Sequence, residues 1–126
     1  MRTGCRLLDP CSGVVLVPDL AVTETGWEAT RGLLFRPPLG AGEGLVIRRC
    51  RAVHTALMRT AIDVVFLDAE GAVCKLNEAL QPWRMAFATG GRDVLELPSG
   101  AARKAGLLPG RRTAVVSADT PGLANG

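Results

Sequence analysis

Fifteen glycines and eight prolines, scattered through 126 residues without a period, cut the apolar residues of this chain into short runs. A helix of several turns needs an unbroken stretch, whereas a strand needs only a handful of residues between two turns, so this punctuation predicts a mainly β class. Apolar residues make up 48% of the chain, enough for one sizeable core, and the length is too small for two ordinary domains. The expected organisation is one globular β-rich domain over residues 1–116 and a loose, small-residue tail over 117–126.

Arg6 to Leu8 and Val14 to Val17 flank the turn-rich Asp9-Pro10-Cys11-Ser12-Gly13 and read as a hairpin. Thr25 with Glu28 three residues on has the form of a capping box, and Trp27, Ala29 or Thr30, and Leu33 or Leu34 recur at helical spacing. A short helix over about Gly26 to Leu34, ended by Pro37 and Pro38, follows. Leu45 to Ile47 is a strand. Ile62 to Asp68 is the clearest strand of the chain, and the turn Asp68-Ala69-Glu70-Gly71 returns it along Ala72 to Leu76. Trp83 to Phe87 and Val94 to Leu97 read as two strands around Gly90-Gly91. Ser99 is expected to cap a short helix over Ala101 to Ala105 that Gly106 closes, and Thr113 to Val116 is the last strand.

The net charge of +3 rests almost wholly on arginine, since Lys75 and Lys104 are the only lysines. Arg48, Arg49 and Arg51 have no aromatics between them and the chain has no tyrosine, so the stacking platform that single-stranded nucleic acid requires is missing. Nucleic acid is therefore disfavoured as a partner. No apolar run approaches the roughly 18 to 20 residues that span a bilayer. A cysteine follows Gly4, but Asp9 and Pro10 interrupt any signal-like apolar stretch, so the chain as given reads as soluble and cytoplasmic. Cys5, Cys11, Cys50 and Cys74 form no Cys-x-x-Cys pair and His54 is the only histidine. No metal site and no cofactor is expected, and the thiols read as free and buried.

The segment from His54 to Asp68 sets a polar cluster directly against the strongest strand. Asp63 lies between Ile62 and Val64 in a run that is apolar on both faces, so its carboxylate should be buried and needs partners. Arg59, Arg36 and the Thr60 hydroxyl are the near candidates, with arginine favoured for its planar fork, and as a structural ion pair the arrangement is complete. Read functionally, the same residues form a pocket for a small anionic or polar ligand, lined by His54, Thr55, Arg59 and Asp63 with Arg36 or Glu96. Period-two alternation puts Glu96 on the face opposite Leu95 and Leu97, where solvent is the expected environment. Trp27 and Trp83 read first as core or rim packing, with ligand stacking the lesser reading for Trp83. No serine or cysteine sits in a nucleophile elbow, so no catalytic residue is assigned.

Gly32-Leu33-Leu34-Phe35-Arg36, Leu39, Glu43-Gly44, His54-Thr55, Met58-Arg59, Ile62 to Asp68, Gly71, Pro82-Trp83, Val94 to Gly100, Gly106-Leu107 and Pro109-Gly110 occur in an order that resembles domain-of-unknown-function family 192, over about Val15 to Val116. The resemblance implies a compact β-sandwich or barrel-like domain with one or two short helices. It also implies an envelope, pilus-assembly or secretion setting. Where similar members have Phe-Pro before the central strand this chain has Thr60-Ala61, and where they have Gly-Asp it has Gly110-Arg111, which removes a carboxylate. Two functions stand. One is a non-catalytic binding or accessory module for a protein partner or small anionic ligand; the other is a small enzyme using His54 and Asp63 as an acid–base pair.

Overall fold

The computed structural model describes residues 2–24, 39–55 and 60–117. Along the described chain run β1 (Arg2–Leu8), β2 (Val15–Thr23), β3 (Glu43–Ile47), β4 (Ala52–His54), β5 (Ile62–Leu67), β6 (Val73–Leu80), β7 (Met85–Phe87), β8 (Asp93–Pro98), the one-turn helix α1 (Ala101–Lys104) and β9 (Ala114–Ser117). Seven strands join in the order β6-β5-β8-β3-β2-β1-β9, while β4 and β7 pair separately. Every neighbouring pair is antiparallel except β2 and β3. The mainly β class holds. The two ends of the large sheet approach through the bridge Ala72 to Arg112, so the sheet turns toward closure without completing a barrel among the described residues.

Local chemistry explains the turns. Asp9 accepts the Cys11 and Ser12 amides on Oδ1, and the hairpin it starts pairs Leu8 with Val15. Asp68 does the same for Glu70 and Ala72 at the β5–β6 turn. Gly71, at φ 83, closes that turn and lies against the strand leading into β9. Its carbonyl accepts both the amide and the hydroxyl of Thr113, and a Cβ there would sit 2.4 Å from the Thr113 oxygen. Only glycine fits both the left-handed backbone and the approach.

The central strands are covered on both faces, which is why β5 is buried at all six positions. Val65, Leu67, Leu95 and Leu97 pack with Leu20, Val22 and Val46 against Ala102 and Leu107 at α1. On the other face Ile62, Val64, Phe66, Leu45, Ile47 and Val94 pack under Val53, Ala86 and Ala88 of the β4–β7 region. A two-stranded sheet on one face and a helical turn on the other thus make the layers, and each buried large side chain contributes about 1.5 to 3 kcal/mol.

Several expectations are corrected by this arrangement. The two strands expected around Gly90-Gly91 are present as β7 and β8, and they lie in different sheets, β7 in the small one and β8 in the large one. The N-cap of α1 is Gly100, at φ 89, and Ser99 does not cap it. All four cysteines are free, but only Cys5 is buried; Cys50 is half-buried, and Cys11 and Cys74 are exposed. β9 runs through Ser117, where the tail was expected to begin. The expected helix over Gly26 to Leu34 and the rest of the tail lie outside the described residues. Among the described residues no helix is long and apolar enough to cross a membrane.

Candidate functional site

Asp63 is completely buried on β5, and three backbone amides converge on its carboxylate. Oδ1 accepts the N–H of Ala79 at 2.8 Å, while Oδ2 accepts those of Gly100 at 2.9 Å and Ala102 at 3.0 Å. Ala79 is a bulge residue of β6 at φ 49, and Gly100 and Ala102 open α1. The carboxylate therefore supplies the helix cap from a distant strand and holds a strained bulge at the same time. Backbone amides occupy both oxygens, where the sequence had suggested arginine; Arg36 and Arg59 lie outside the described residues.

The other candidates sit across the sheet from Asp63. Pairing places Val64 opposite Glu96 and Asp63 opposite Leu97, so Glu96 faces the β4–β7 side and Asp63 the α1 side. Glu96 is 3% exposed, which corrects the expectation of solvent: alternation was right, but its face is roofed by the second sheet. Its Oε2 has no hydrogen-bond partner among the described residues, and burial pushes the carboxyl up to about 7.

Thr55, just after β4, is also buried. Its hydroxyl donates to the Gln81 carbonyl at 2.6 Å and accepts the Arg84 amide at 2.8 Å, while its own backbone bonds the Arg84 carbonyl and the Trp83 amide. Thr55 thus fixes the turn over residues 81–84, in which Trp83 is held at φ 65. A bulky residue in that backbone region is strained, and such strain collects where a side chain must be presented in one direction.

Trp83 presents outward. In the β4–β7 ladder Val53 and Ala86 point to the core, and the flanking pairs Ala52–Phe87 and His54–Met85 point away from it. Trp83, Met85 and Phe87 are 68%, 74% and 62% exposed. This corrects the packing role expected of Trp83 and leaves His54 on an open face, turned away from the sheet that carries Asp63. Lys75 donates to the Phe87 carbonyl and stands 5.3 Å from its ring. Residues 44–62 and 79–92 carry six arginines and no carboxylate, so the exposed Trp83, Met85 and Phe87 lie in cationic chain. The signal was legible: Met85-Ala86-Phe87-Ala88 alternates large and small residues, which puts Met85 and Phe87 on one face and the alanines on the other. The small ones face inward and pack with Val64, Phe66 and Val94.

The model of domain-of-unknown-function family 192 (DUF192), described as uncharacterized ACR, matches residues 12–115. The chain belongs to this family. No curated protein matches it. Among solved structures, this DUF192 chain is similar to a protein of unknown function from Novosphingobium aromaticivorans DSM 12444, with TM-score 0.69 and 23% identity, covering 87% of this chain and 82% of that one. It is also similar to a protein from Sinorhizobium meliloti 1021 described as a "putative transcription regulator", with TM-score 0.68 and 22% identity over 90% of this chain and 92% of that one. Both likenesses concern the fold.

Proposed function

We propose that this DUF192 domain is a non-catalytic binding module whose outer β4–β7 face takes up an acidic, apolar-sided segment of a partner protein. The observation that carries the reading is the exposure of Trp83, Met85 and Phe87 on one face of one short strand and its turn, in a chain with only five aromatics. Large aromatic and methionine side chains are the residues that interfaces bury at their centres. The surrounding arginines, with Arg51 and Arg84 exposed beside the ladder, select for carboxylates on the partner. Acid–base catalysis by His54 and Asp63 has no such support, because the aspartate is sealed among amides on the opposite face.

The test uses an extended peptide of alternating leucine and glutamate, its leucine–lysine counterpart, and amide NMR of the full chain. The acidic peptide is expected to shift the Met85, Phe87 and His54 signals, and the lysine peptide to leave them in place. Replacing Trp83, Met85 and Phe87 together by serine should weaken binding by about tenfold or more while leaving the melting temperature nearly unchanged, since all three side chains are exposed. Equal binding of both peptides, or of wild type and the triple variant, would overturn the reading. So would a dimer that the triple variant dissolves, because the face would then serve a second copy.

A further inference from the structure

A concavity opens on the side of the large sheet away from β4 and β7, beside α1. It encloses about 550 Å³, within the range of small-molecule sites. Val14, Val15, Leu97, Pro98 and Ala105 supply apolar walls, and Val14 and Val15 remain 55% and 42% exposed. Lys104 and Arg111 border the same space. The Lys104 ammonium pairs with no carboxylate among the described residues. Arg111 approaches Asp9 at 3.3 Å through one terminal nitrogen and leaves its buried Nε without a hydrogen-bond partner. Glu43 also borders the cavity, but its Oε1 is taken by the Gly40 amide.

We infer that this cavity is a binding site for a small carboxylate with an apolar tail, such as a medium-chain fatty acid, whose head group pairs with Lys104 and Arg111 and whose tail lies along Val15, Leu97 and Ala105. The chemistry is selective on two counts. A neutral head group on the same tail forgoes the charge-assisted pairing with the Lys104 ammonium and the Arg111 guanidinium, and a head group without a tail gains nothing from the walls. Neither the partner face nor Asp63 takes part, so this site stands or falls independently of the proposed function.

The experiment titrates the full chain with decanoate below its micelle concentration, with decanol and with acetate, following amide NMR signals. Decanoate should move Leu16, Ala101 and Ala105, with decanol at least about tenfold weaker and acetate without effect at the same concentration. Lys104→Glu should weaken decanoate about tenfold and leave decanol unchanged. Lys104 is exposed, so that variant should melt as wild type does, and the melt is recorded alongside. Equal affinity for acid and alcohol, decanoate binding indifferent to Lys104→Glu, or shifts confined to Met85 and Phe87 would each overturn the assignment.

Discussion

Asp63→Asn is expected to destabilise the protein far more than Asp68→Asn, by about 3 kcal/mol against about 1, and so to lower the urea midpoint further. An asparagine at 63 retains one acceptor oxygen for three amides. Its best orientation keeps the Gly100 and Ala102 bonds and turns an NH2 group toward the Ala79 amide, so two donors face each other at a fully buried side chain. The loss also falls on a bulge already strained at φ 49 and on a helical turn whose own N-cap is a glycine without a side chain. At Asp68 the asparagine oxygen can still receive Glu70 and Ala72 in a half-buried turn. Urea unfolding with unchanged slopes gives the comparison directly, and equal midpoints for the two variants would mean that the amide cluster contributes little to stability.

Glu96 is expected to make the protein more stable in mild acid than at neutral pH. Below about 4.5 the carboxyl is protonated in both the native and unfolded chains. Between 4.5 and about 7 the unfolded chain releases the proton and the native chain keeps it, so stability falls across that window; above it both forms are ionised and the native state holds a desolvated charge. The difference amounts to about 3 kcal/mol. Glu96→Gln, which mimics the neutral acid, should remove that slope and be the more stable protein above pH 7. Chemical unfolding from pH 4 to 8 for both proteins measures it, and parallel profiles would show that Glu96 is not the group responsible.

What the sequence determined by itself is local. The β5 strand, the Asp68 to Gly71 turn, the first hairpin and the short helix before Gly106 were all readable, because turn residues and alternation act through neighbours in the chain. The burial of Asp63 was readable for the same reason, since apolar residues on both sides leave no wet face. The three amides that satisfy it come from β6 and from the start of α1, and no local pattern announces a partner 16, 37 or 39 residues away.

Tertiary structure alone decided the rest. It split β7 from β8 between two sheets, and the roof this provides converted Glu96 from an outward-facing acid into a buried one. It made Thr55 a clamp on the Trp83 turn and turned the tryptophan outward, although composition suggested packing. Alternation fixes which residues share a face but not which face is covered. That depends on where a second layer settles, which is a property of the whole core.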